Sequence, residues 1–142
     1  MELYGSFRVV GRETAMADSS ASAPRVLVVE DEYFLADDIV RALTALGAEI
    51  VGPIGEIGEA GRVVNEAPRI DGAVLDINVR NESVFPVARL LRARQVPFVL
   101  ASGYGRDSLD ADFLDVQLWE KPLDVRGMIR ALARMMPPSA VG

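Results

Sequence analysis

Val26-Leu27-Val28-Val29-Glu30-Asp31-Glu32 runs a β-branched apolar stretch straight into three consecutive acids. An unbroken apolar run of this length, without polar alternation, reads as a strand covered on both faces, as in a parallel sheet. Downstream, Leu35, Ile39, Leu43 and Leu46 recur at helical spacing, and Gly47 follows as the C′ stop. Residues 49–52 read as a second strand, and residues 57–66 as a weak helix diluted by Gly58 and Gly61 at about 1 kcal/mol each. Ala73-Val74-Leu75 forms a third strand ending at Asp76. Residues 85–94 form a helix with Val87, Leu90 and Leu91 inward, and residues 96–101 a fourth strand. Residues 106–113 are expected as a poorly patterned helix, and residues 116–119 as the fifth strand. Asp124 is placed to N-cap a last helix whose apolar face is Val125, Met128, Ile129, Leu132 and Met136. Strands alternating with helices throughout imply an α/β domain, a doubly wound five-stranded parallel sheet.

Composition narrows the chemistry. The 142 residues are 50% hydrophobic and 25% charged, which is globular and enough for one domain with a core. A net charge of -6 argues against a nucleic-acid partner, which calls for a basic stripe. Arg89, Arg92 and Arg94 form only a loose group on one helix. Cysteine and histidine are both absent, so disulfides, thiolate or imidazole metal sites and a histidine base are excluded. Gly52, Gly55, Gly58 and Gly61 repeat every three residues and follow the second strand, unlike a dinucleotide fingerprint. No stretch approaches the roughly 20 apolar residues of a membrane span, and residues 1–12 lack a signal-peptide core, so a cytoplasmic protein is expected. Residues 1–24 read as a flexible leader, residues 25–137 as the folded domain and residues 138–142 as a short tail. Met16 is a candidate natural start, and residues 3–10 have an alternative reading as an extra edge strand.

Ligands of open parallel sheets bind beyond the carboxyl ends of the strands, where strand order reverses. Glu30 and Asp31 follow the first strand, Asp76 ends the third, Ser102 the fourth, and Lys121 follows the fifth. Each has a duller reading. The acids suit a helix N-terminus, Asp76 an N-cap, Ser102-Gly103 a turn, and Lys121-Pro122 an exposed loop. Jointly they converge on one rim. Three carboxylates there repel one another unless a cation compensates, and hard oxygen donors favour Mg2+. With a hydroxyl at Ser102 and an ammonium at Lys121, the set describes phosphoryl transfer to a carboxylate.

The run from Val26 to Glu32, then Val74-Leu75-Asp76, Ala101-Ser102-Gly103 and Lys121-Pro122 together resemble bacterial response-regulator receiver domains of two-component phosphorelays. That resemblance implies a flavodoxin-like, CheY-like fold with strand order 2-1-3-4-5. It implies Asp76 as phosphoacceptor, supplied by a histidine of a sensor kinase. Asp31 would ligate Mg2+ directly, Glu30 mainly through water, and the Asn78 backbone carbonyl would add a ligand beside Asp76. Ser102 would swing toward the phosphoryl group, Lys121 would bridge to it, and the Lys121-Pro122 bond would be cis. Two places depart from the common pattern. Leu118 stands where many receivers carry an aromatic switch, and the loop from Asn78 to Ser83 lacks a Pro-Gly turn. With the run from Pro97 to Tyr104, they are similar to a single-domain subgroup bearing an F-A-T-G-Y-like fourth strand, often linked to HWE-type sensor kinases. Tyr104 is then a candidate reporter, or else a partly packed loop aromatic.

The expected function is a stand-alone response regulator, a phosphoprotein rather than an enzyme. It would signal by binding a downstream protein, by passing the group to a phosphotransferase, or by acting as a phosphate sink. Two rivals remain. One is a small phosphatase using Asp76 as nucleophile, although Asn78 stands where its second carboxylate belongs. The other is an adaptor that is never phosphorylated.

Overall fold

The computed structural model describes residues 23–137. The leader up to residue 22, with the alternative strand over residues 3–10, and the tail at 138–142 lie outside them. In chain order come β1 (Arg25–Val29), α1 (Tyr33–Ala45), β2 (Glu49–Ile54), α2 (Ile57–Glu66) and β3 (Gly72–Asp76). A small hairpin follows, β4 (Asn78–Val79) and β5 (Glu82–Ser83), then α3 (Phe85–Ala93), β6 (Phe98–Ser102), β7 (Leu118–Glu120) and α4 (Val125–Met135). The main sheet is parallel and ordered β2-β1-β3-β6-β7. Because the hairpin takes two strand numbers, this is the expected 2-1-3-4-5 order.

Alternation along the strands divides the core into two layers. Leu27, Val29, Ala73, Leu75, Phe98 and Leu100 face one side and pack with Val63, Val64, Val87 and Leu91 of α2 and α3. Val26, Val28, Val74 and Val99 face the other and pack with Ile39, Leu43, Met128, Ile129 and Leu132 of α1 and α4. A strand buried on both faces has no position for a polar residue until it ends. The polar groups at the ends of β1 and β3 are therefore set side by side by the register Val28↔Val74 and Val29↔Leu75.

The helix ends follow from local chemistry. α1 stops at Leu46, and Gly47 takes the left-handed conformation at φ 85°. Leu46 itself turns outward to solvent instead of extending the apolar stripe. Asp124 caps α4 as expected, its Oδ1 accepting from the Gly127 N–H at 3.0 Å.

Residues 106–113 do not form the expected α-helix. Two 3-10 turns stand there, Arg106–Ser108 and Ala111–Phe113. Ser108 Oγ donates to the Gly105 carbonyl and Asp110 Oδ1 accepts from the Asp112 N–H, local bonds that compete with a helix ladder. The segment is fastened instead by Phe113, fully buried between Phe85 and Phe98. Arg89 and Arg92 lie over the Phe113 ring and pair with Asp110 and Asp115 respectively.

β2 carries a bulge. Leu27 pairs with Val51 but Val29 with Ile54, so β2 holds one residue more than β1 over that span. Gly52 absorbs it at φ 109°, where an added Cβ would lie 2.8 Å from both Ile54 N and Val28 O. The bulge brings the Ile54 carbonyl to the Glu30 N–H at 3.0 Å, anchoring the chain where it leaves β1. Gly52→Ala is expected to cost about 2 kcal/mol or more, since strained φ and a backbone clash add. Urea unfolding of the variant checks this, and a midpoint equal to wild type would contradict it.

Candidate functional site at the carboxyl ends of the strands

Sheet order reverses between β1 and β3, and the carboxylates of Glu30, Asp31 and Asp76 meet outside those two strand ends. One oxygen from each lies within 4.8 Å of the others. Glu30 and Asp76 are buried, at 3% and 4% exposed, whereas Asp31 is open to solvent. Lys121 reaches in from the loop after β7. Its Nζ donates to Asp76 Oδ2 at 3.0 Å and lies 3.9 Å from Glu30 Oε1, an ion pair too long for a hydrogen bond. The Lys121-Pro122 bond is cis, as expected. Ser102 holds the base of that loop, its carbonyl accepting from the Lys121 N–H at 2.8 Å.

Backbone amides fix three further carboxylate oxygens, one on each acid. The Glu32 N–H donates to Glu30 Oε2 at 3.0 Å, and the Asn78 N–H to Asp76 Oδ1 at 3.3 Å. Asp31 Oδ2 accepts from the Arg80 N–H at 3.0 Å. This last contact was not foreseen from sequence. It depends on the β4–β5 hairpin, whose two turn residues, Arg80 and Asn81, both take positive φ of 52° and 63°. That is the backbone of a type I′ turn, and Arg at its first position gives no signal of it. The expected site residues thus gather at one rim, with one qualification. The Ser102 hydroxyl, itself buried, is hydrogen-bonded within its own loop rather than to Asp76. The Tyr104 ring is 70% exposed.

Electrostatically the cluster is out of balance. Burial, with the nearby Asp76 charge, pushes the Glu30 carboxyl from its ordinary 4.5 up to about 8, against the opposing Glu32 N–H and Lys121 charge. Lys121 is partly buried, which disfavours its charge, yet its bond to Asp76 and the charges of Asp76, Glu30 and Glu32 raise its pKa. Glu30 Oε1 is buried without a hydrogen-bond partner. A buried carboxylate oxygen without a hydrogen bond, beside two further acids, fits a hard divalent cation, which would take several oxygen ligands here.

No protein-family model matches the chain, and no curated protein does. Solved structures do. SdrG from Sphingomonas melonis Fr1 is 37% identical with TM-score 0.69, over 80% of this chain and 96% of that one. The BeF3-activated conformation of SdrG from Pseudomonas melonis Fr1 is 34% identical with TM-score 0.64, over 82% of this chain and 99% of that one. A response regulator receiver protein from Sinorhizobium medicae WSM419 shares the fold at 24% identity and TM-score 0.71, over 82% of this chain and 97% of that one.

The raised Glu30 pKa sets a pH dependence. Between 4.5 and about 8 the folded protein holds a proton that the unfolded chain releases. The contribution of Glu30 to stability without divalent cations is therefore fully present below that window and is lost as pH rises through it. Urea unfolding in EDTA across this range is expected to show the decline, and Glu30→Gln to flatten it. An equal slope in both proteins would contradict the assignment.

Proposed function

Because the chain belongs to the response-regulator receiver family, we propose that it takes a phosphoryl group onto Asp76 from a phosphohistidine of a sensor kinase. The observation that supports this most directly is the pairing of a buried, strand-terminal Asp76 with the Lys121 ammonium at 3.0 Å. In the transfer, an Asp76 carboxylate oxygen forms a bond to phosphorus as the P–N bond breaks, and the departing imidazole keeps the electron pair and takes a proton from solvent. The chain has no histidine and relies on a donor for the phosphohistidine.

Mg2+ would be held by Glu30, Asp31, Asp76 and the Asn78 carbonyl, and supplies charge neutralisation to the phosphoryl oxygens. The protein's own groups do the positioning. The Glu32, Asn78 and Arg80 amides hold three carboxylate oxygens in fixed directions before any donor arrives. Lys121 balances Asp76 in the resting protein and bridges to a phosphoryl oxygen afterwards. Ser102 donates to another.

The product is an acyl phosphate on the protein, so the chain is a phosphoprotein and not a multiple-turnover enzyme. Asn78 occupies the place two residues after Asp76 where a phosphatase of this kind needs a second acid. The run from Pro97 to Tyr104 makes an HWE-type kinase the first donor to try. Output then passes through contact with a downstream protein or a phosphotransferase, or the domain drains the kinase as a phosphate sink, all in the cytoplasm.

Incubation with acetyl phosphate and Mg2+, followed by intact mass measurement, is expected to add one phosphoryl group per chain. Asp76→Asn should remove that labelling with the fold retained, and full labelling of this variant would refute the assignment. Lys121→Ala is expected to weaken the conformational response to phosphorylation more than Mg2+ binding. Equal losses would argue against the bridging role.

A further inference from the structure

The buried Ser102 hydroxyl, 2% exposed, has two hydrogen-bond contacts. The Tyr104 N–H donates to its Oγ at 2.9 Å, and Ser108 Oγ lies 3.3 Å away. Ser108 Oγ in turn donates to the Gly105 carbonyl at 2.7 Å. A serine hydroxyl carries a single proton. That of Ser108 is used on Gly105, so the bond between the two hydroxyls runs from Ser102 to Ser108. The direction of the whole chain follows: Tyr104 N–H to Ser102, Ser102 to Ser108, Ser108 to Gly105.

The only proton Ser102 has to offer is thereby engaged, and it cannot serve Ser108 and a phosphoryl oxygen at once. We propose that Ser108 is a positioning residue that holds Ser102 in the resting arrangement and is released when Ser102 turns to the phosphoryl group. This rests on Asp76 being the phosphoacceptor. Ser108 ends the 3-10 turn Arg106–Ser108, so its release frees that turn from the rim. The coupling then runs through a hydroxyl pair on one loop. Leu118 has no hydroxyl with which to do the same, and Tyr104 meets Ser102 through its backbone. At 3.3 Å the hydroxyl contact is long, so breaking it is a small step.

The test titrates beryllofluoride in the presence of Mg2+ into the full chain, read by Trp119 fluorescence. Trp119 pairs with Ala101 beside Ser102 in the sheet. Ser108→Ala is expected to bind beryllofluoride about two- to fivefold tighter, the scale of one modest hydrogen bond. Ser108→Thr, which keeps the hydroxyl, should return to the wild-type value. In a Ser102→Ala background the Ser108→Ala change should have no effect, which a merely structural role for Ser108 would not produce. Unchanged or weaker binding by Ser108→Ala, or the same tightening without Ser102, overturns the proposal. In the unsubstituted protein, the amide resonances of Gly105 and Ser108 should shift when beryllofluoride binds, and constancy of both would also overturn it. Failure of the wild type to bind beryllofluoride at all would instead bring down the phosphoacceptor assignment itself.

Discussion

Three carboxylates share the end of one sheet with a single ammonium, and the rest of the site is arranged around that imbalance. At about 4 Å, two unit charges near a protein surface interact by about 4 kcal/mol. Three repulsive pairs among Glu30, Asp31 and Asp76 face only the attractions of Lys121 to Asp76 and Glu30. Something positive must enter, and a proton on Glu30 or a divalent cation are the two candidates that the donor set admits. The fold makes the conflict unavoidable. β1 and β3 are adjacent and parallel, buried on both faces, and place their terminal acids together.

Much of this is legible in the sequence. The apolar runs of β1, β3 and β6 have the unalternated pattern of strands covered twice, and every acid or hydroxyl of the candidate site sits where such a run stops. That is why a parallel sheet with a polar rim emerges from spacing, whereas the strand order came from the family resemblance. Helical faces were equally readable in α1 and α4, where Ile39, Leu43, Met128, Ile129 and Leu132 are all buried.

What sequence did not reveal depends on backbone geometry or on competing local bonds. The β4–β5 hairpin turns on Arg80 and Asn81 at positive φ, with no glycine to announce it. The helix expected over residues 106–113 gives way to turns because Ser108, Asp110 and Asp112 bond their own neighbourhood, while Phe113 supplies the one deep anchor. The guanidinium groups of Arg89 and Arg92, read in the sequence only as part of a loose basic group on one helix, close over that anchor. No periodicity rule contains a contact of this kind.

The hold on Asp31 by the Arg80 main chain has a bearing on how this domain tolerates change. An amide belongs to nearly every amino acid, so the identity of the side chain at position 80 is almost irrelevant to that contact. Only proline, which lacks the N–H, removes it outright, and β-branched residues resist the turn conformation. Asparagine or glycine there would adopt it with less strain than arginine. The arginine head group is thus left open to drift, and one corner of the acidic rim is insulated from the substitutions that most readily alter surfaces.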